Sequence, residues 1–231
     1  MQFNWLHITD LHHGMANQGW LLPGLQHRLF EDLRYLYSRC GPWDLILFTG
    51  DLTQRGTKEE FDAVDELLDR LLKEVQRLQS GTEPLVLAVP GNHDLQRPKD
   101  AKAIDALLGG WQQVPAMKER LWDGSDPTLH DMLGESFSEY ETWWARRRAR
   151  AAAFGVAITP GRLPGDFAAT IEKADCKLGI MGLNTSFLHL RDGLQGRLAV
   201  HADQFNHAAW GRDGEAWARQ HAACLLLTHH P

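Results

Sequence analysis

Short apolar runs of strand length punctuate the chain at Phe3–Thr9, Asp44–Thr49, Leu85–Val89, Lys177–Leu183 and Ala222–Thr228, and each reads as a β-strand. Between the second and third runs the period changes. Phe61, Val64, Leu68, Leu71, Val75 and Leu78 recur every three or four residues, the stripe of a helix with one buried face. Thr57 and Glu60 stand three apart where that stripe begins, the spacing of a capping box, so a helix is predicted over Thr57–Leu78. Helical patterns also occupy Gly24–Arg39 and Ala202–Gln220. Alternating strands and helices predict an α/β fold in which helices cover the faces of a sheet. About eighty residues separate Asp94 from the fourth strand, too many for a plain connection, so 95–175 is expected to be a helical cap insertion within one domain spanning 1–231.

Composition narrows this picture in three places. The 231 residues are 43% hydrophobic, enough for one large core. A net charge of −6 argues against a broadly basic surface that grips duplex nucleic acid without regard to sequence, though not against a nucleic-acid substrate. There is no apolar run of about 20 residues, and Met1-Gln2-Phe3-Asn4-Trp5 lacks the basic start of a secretory leader, so a cytoplasmic protein with no membrane partner is expected. Cys40, Cys176 and Cys224 are widely spaced, suggest neither a disulfide framework nor a thiolate zinc site, and read as reduced packing residues.

The chemistry lies at the strand ends. Asp10-Leu11-His12 follows the first run, Gly50-Asp51 the second, Gly91-Asn92-His93-Asp94 the third and His229-His230 the fifth. The carboxyl ends of strands in an α/β sheet line one edge, so these side chains converge although they are far apart in sequence. Asp, His and Asn together make a mixed oxygen and nitrogen field suited to manganese, iron or zinc. Asp51 has two carboxylate oxygens and can bridge two ions about 3.5–4 Å apart. For Asp10 and Asp51 the competing reading is an aspartate capping the next turn, and Asn92 alone could be a turn residue. Of the histidine pair, one is expected to ligate and the other to pack or contact substrate. Asn184-Thr185-Ser186, after the fourth run, reads as a positioning loop. His13 reads as a bystander near the site, and His7 as a core histidine.

In this order, Asp10-x-His12, Gly50-Asp51, Gly91-Asn92-His93-Asp94 and the late His229-His230-Pro231 resemble the calcineurin-like metallophosphoesterases. The resemblance implies a four-layer α/β/β/α sandwich with a dinuclear centre at one edge. It implies two divalent metal ions, with manganese favoured and iron, zinc or magnesium the alternatives. Asp10 and His12 look like ligands of the first metal, Asp51 the bridge, and Asn92 and His229 ligands of the second. His93 resembles the substrate-contacting histidine that binds a phosphate oxygen or protonates the leaving alkoxide, with Asp94 expected to fix its tautomer. Asn92 and His230 complete the expected substrate contacts. Metal-activated water would attack phosphorus in line, without a covalent intermediate.

One motif departs from the family pattern, which ends in a Gly-His-x-His giving one histidine to each metal. No such motif occurs before Pro231. The expectation is therefore a domain that continues past Pro231, with further C-terminal domains as partners and weakened metal binding in this length of chain. A degenerate site is the alternative. Gly50-Asp51-Leu52-Thr53-Gln54-Arg55-Gly56 carries Gln54 where phosphoprotein phosphatases place a second acid. Gly182-Leu183-Asn184-Thr185-Ser186 and Gln195-Gly196-Arg197-Leu198 look like the phosphodiesterase and nuclease branches. A phosphodiester substrate, nucleotide or nucleic acid, is expected. A phosphomonoesterase and a non-catalytic regulatory module are the alternatives. Trp111, Trp122, Trp143 and Trp144 with Arg146-Arg147-Arg148 and Arg150 could approach a polyanion, but packing and a solvated face are the preferred reading.

Overall fold

The computed structural model describes residues 2–16, 22–191, 200–209 and 213–230. β1 (Trp5–Ile8), β2 (Leu45–Thr49) and β3 (Leu85–Val89) form a parallel three-stranded sheet in that order. β2 and β3 are buried on both faces, as continuous Leu/Ile/Val runs require of strands covered from two sides. β1 lies at the edge and is half-exposed. Helices α1 (Leu22–Cys40) and α2 (Lys58–Leu78) follow β1 and β2. α2 buries Phe61, Val64, Leu67, Leu68, Leu71, Leu72 and Val75: the stripe read from the sequence gains Leu67 and Leu72, and Leu78 at its end is only partly buried.

Thr57 starts α2 as predicted. Its hydroxyl accepts from the Glu60 backbone N–H, while the Glu60 carboxylate accepts from the backbone N–H groups of Thr57 and Arg55. Thr57→Ala is expected to cost about 1 kcal/mol of unfolding free energy, read as a lowered urea midpoint at unchanged slope. An unchanged midpoint would show that Glu60 alone satisfies the helix start.

The long connection departs from expectation. α3 (Ala101–Gln113), α4 (Pro115–Asp123), α5 (Pro127–Ser136) and α6 (Ser138–Arg150) are helical, but β4 (Ile158–Pro160) and β5 (Phe167–Lys173) then start a second sheet. The segment 95–175 is thus helical only in its first part. β4 and β5 were not read from the sequence because one is three residues long and the other, Phe-Ala-Ala-Thr-Ile-Glu-Lys, carries little apolar bulk. The second sheet runs β4, β5, β6 (Cys176–Gly182), β7 (Ala223–Leu227), antiparallel except for the β6–β7 pair. The helix expected over Ala202–Gln220 appears as α7 (Ala202–Ala208) and α8 (Gly214–Ala218).

Period-two alternation in the second sheet makes the layers. Phe167, Ala169, Leu178 and Ile180 join one core with β2, β3 and α2. Their neighbours Ala168 and Met181 face the other way, against Ala208 and Trp217 of α7 and α8. The result is the α/β/β/α sandwich. α6 packs onto the first sheet, with the Tyr140 hydroxyl donating to the Ala88 carbonyl at 2.9 Å.

Trp111, Trp122, Trp143 and Trp144 are all buried, so packing is their role here. The arginine run is largely committed as well. Arg146 and Arg147 pair with Asp65, and Arg150 pairs with Glu83. Two other expectations change. Cys40 and Cys224 are exposed rather than packed, and His7 sits on the exposed edge strand with its ring 2.7 Å from the Thr49 hydroxyl.

Candidate metal centre

Beyond β1 and β2 the parallel ladder continues into the loops. Asp10 N–H donates to the Gly50 carbonyl, His12 N–H to that of Asp51 and His13 N–H to that of Leu52, at 2.9–3.1 Å. This zipper carries Asp10, His12 and Asp51 to one point. Gly91 brings the β3 loop alongside: a Cβ there would collide with the Asp51 carboxylate and backbone, so only glycine permits the approach. A Cβ on Gly50, at φ +93°, would likewise meet the His229 ring and Gly91.

The backbone is strained where the side chains meet. Five non-glycine residues among those described have positive φ, and three are Asp10 (56°), His12 (44°) and Asp51 (53°). Left-handed backbone costs such residues on the order of 1 kcal/mol or more each, and it persists where surrounding structure and function require it.

Asp51 is the focus. Its Oδ1 accepts the His93 backbone N–H at 2.9 Å, leaving Oδ2 for His12 Nε2 at 3.5 Å and His229 Nε2 at 3.4 Å. His12 Nε2 is also 3.6 Å from Asp10 Oδ1. These separations are long for hydrogen bonds. They match two ligands about 2.1 Å from a shared cation, which sit roughly 3.4 Å apart at tetrahedral angles. Two overlapping groups result, Asp10 with Asp51 and His229, and His12 with Asp51 and His93. Asp51 is common to both groups, and Asp10 and His12 also stand side by side. His12 Nδ1 is buried with no hydrogen-bond partner. The donor set, with its histidine nitrogens and carboxylate oxygens 3.4–3.6 Å apart, and the strained loops together fit divalent cations better than a self-satisfied polar cluster.

Charge follows geometry. Burial pushes Asp51 up, but His229 and the His93 backbone N–H outweigh it and hold the carboxyl below its ordinary range. Burial pushes His229 down, but Asp51 outweighs it and raises the imidazole. His230 is lowered to about 4 by burial and by its histidine neighbours His229 and His189, so it is neutral near pH 7.

Around the cluster the roles sort differently from expectation. Asp94 is fully buried and does not contact the His93 ring. Its carboxylate collects the N–H groups of Gly91, Leu52 and Thr53 and the Thr53 hydroxyl, locking the β2 and β3 loops together. The partner of His93 is instead the Gln54 carbonyl, 2.9 Å from Nδ1. A carbonyl only accepts, so Nδ1 carries a proton and Nε2 is left for the cluster side. The ring also meets His12 edge-on, with centroids 4.8 Å apart. Main-chain acceptors carry no residue signature, so this contact of the Gln54 carbonyl is not legible in the sequence.

His229 donates from Nδ1 to the Thr49 carbonyl at 2.7 Å, which aims Nε2 at Asp51. His230 bridges outward: Nε2 lies 2.9 Å from Asn92 Oδ1 and Nδ1 lies 3.3 Å from the Ser186 hydroxyl. The 184–186 loop supports it, since Thr185 accepts the His230 backbone N–H and buried Asp166 accepts the Asn184 N–H. Asn92 is thus placed against His230. His13 joins only through its backbone, in a bridge to Thr53. Gln195-Gly196-Arg197-Leu198 lies outside the described residues. No described helix is long and apolar enough to cross a membrane.

A family model for calcineurin-like phosphoesterases matches residues 3–161. No curated protein sequence matches the chain.

Proposed function

From the premise that this chain belongs to the calcineurin-like phosphoesterase family and is a metal-dependent phosphoester hydrolase, we propose that its substrates are phosphodiesters of the nucleotide or nucleic-acid kind. The observation that carries the reading is the convergence of His12 and His229 on a single oxygen of Asp51, at 3.4–3.5 Å, beside Asp10 and His93. Asp10, His12, Asp51, Asn92 and His229 would hold two divalent cations, with manganese favoured. Bound there, the cations supply Lewis-acid charge against the phosphate and make water a stronger nucleophile.

The chain's own residues do the remaining work. His93 acts on the leaving oxygen through Nε2, because Nδ1 is already spent on the Gln54 carbonyl. Asp94 acts one step back by fixing the loops that present Asp51 and His93. Neutral His230 and Asn92 contact the phosphate or its ester group. Gln54 in place of a second acid removes a negative charge from the substrate side, which supports a diester over the phosphoprotein-phosphatase pattern. With manganese, kcat/KM for bis(p-nitrophenyl) phosphate is expected to exceed that for p-nitrophenyl phosphate. A monoester preference would overturn the substrate reading.

A further inference from the structure

Just before β5 a carboxylate is buried with no cation beside it. Asp166 is 2% exposed, and among the described residues no basic side chain pairs with it. Its Oδ1 accepts the Asn184 backbone N–H at 2.8 Å and the Gln204 side-chain amide at 2.9 Å, and its Oδ2 accepts the Leu163 N–H at 3.2 Å. Burial pushes the carboxyl up to about 7 against these donors. Such a group is costly to bury, and what it holds is the loop after β6. From Asn184 the contacts run to the metal centre. The Asn184 side-chain oxygen accepts the Ser186 N–H at 2.8 Å, the Ser186 hydroxyl lies 3.3 Å from His230 Nδ1, and the Thr185 hydroxyl accepts the His230 N–H at 2.9 Å. His230 Nε2 then lies 2.9 Å from Asn92 Oδ1. That oxygen only accepts, so Nε2 carries the proton of the neutral ring and Nδ1 accepts from the Ser186 hydroxyl.

We propose that Asp166 is a positioning residue for the reaction: by gripping Asn184 it sets the 184–186 loop, and through Ser186 and Thr185 it fixes the place and tautomer of His230 beside Asn92. Asp94 does the corresponding work on the first sheet, where one buried carboxylate gathers the N–H groups of Gly91, Leu52 and Thr53. Each sheet thus presents its part of the site through a buried carboxylate of its own. A carboxylate suits the place because donors approach both of its oxygens. An asparagine there can still turn its oxygen to Asn184 and Gln204, and it gives up only the Leu163 contact. The effect on turnover rests on the reading of His230 and Asn92 as phosphate contacts.

The test is a double-mutant cycle on kcat/KM for bis(p-nitrophenyl) phosphate with manganese, at about pH 8, where the carboxylate is charged. Asp166→Ala is expected to lower kcat/KM about tenfold, the scale of one lost charge-assisted hydrogen bond, and Asp166→Asn by less than about twofold. In a His230→Ala background Asp166→Ala is expected to change nothing further. An equal loss in both backgrounds means that Asp166 serves the fold at large; that result, no loss at all, or an asparagine variant as impaired as the alanine one overturns the positioning role. Gln204→Met removes the amide that ties Asp166 to the Asn184 carbonyl, and it runs the same cycle if Asp166→Ala does not fold. If the wild type hydrolyses no phosphodiester, the phosphodiesterase reading has failed, and histidine-ring NMR spectra of the metal-free protein still decide the placement. The His230 signal is expected to shift in Asp166→Ala while that of exposed His27 stays, and an unmoved His230 signal overturns the role.

Discussion

Asp51→Asn is expected to leave a folded protein that no longer gains stability from manganese. The asparagine carbonyl can still accept the His93 backbone N–H, so the β3 loop keeps its anchor. The other side of the carboxylate is different. Oδ2 is the one atom facing both His12 and His229, and an amide N–H there offers no electron pair and no charge. A cation held by the wild-type set at 100 times its Kd stabilises the fold by about 2.7 kcal/mol. For a chain of this size that is a rise in melting temperature of roughly 5–11 °C.

The variant is expected to show none of this rise and to lose hydrolysis by about 10³-fold, the scale on which removing one electrostatic contributor acts. Without metal it should be modestly less stable than wild type near pH 7, because the carboxylate that His229 and the His93 backbone N–H hold in its charged form is lost. Calorimetric scans with and without manganese read the result directly. An equal metal-induced rise in both proteins would show that Asp51 is not a ligand.

Arg147→Ala is expected to cost about 3 kcal/mol, at the lower end of the range for breaking a buried ion pair. The guanidinium is only 6% exposed. Its Nε donates to Asp65 Oδ1 at 3.0 Å and its Nη1 to Asp69 Oδ1 at 3.3 Å, while Trp143 Nε1 donates to the same Asp65 oxygen at 2.6 Å. Removing it leaves that oxygen with Trp143 alone and opens space between α2 and α6. Arg146 keeps Asp65 partly neutralised, which places the cost low in the range. Arg146→Ala, at a half-exposed position, should cost less than about 1 kcal/mol. Urea unfolding of both variants separates the two. Equal small losses would mean that the helix contact rests on the tryptophans alone.

The two predictions draw on different levels of legibility. Asp51 announced itself because a ligand-type residue after an apolar run is a local pattern, and four such patterns in order are rarely accidental. Arg147 did not, because Arg146, Arg147, Arg148 and Arg150 look alike in a sequence. Only the packing of α6 against α2 makes one of them a buried counter-charge.

The same division runs through the fold and the site. Period and punctuation, which act between residues a few positions apart, determined α2 with its capping box, the apolar strands β2 and β3, and which residues stand at the strand ends. Tertiary structure decided everything that depends on meeting across distance. The weak strands exist because of their neighbours, β5 pairing with β6 and β4 with β5, not because of their own composition. Asp94 turned from a partner of His93 into a lock between two loops, and the Gln54 carbonyl took its place. Asp10, His12 and His229, from three separate segments, meet around Asp51. Hydrogen-bond partners and shared cations are chosen by position in space, and residues that are distant along the chain acquire that position only when the sheets close.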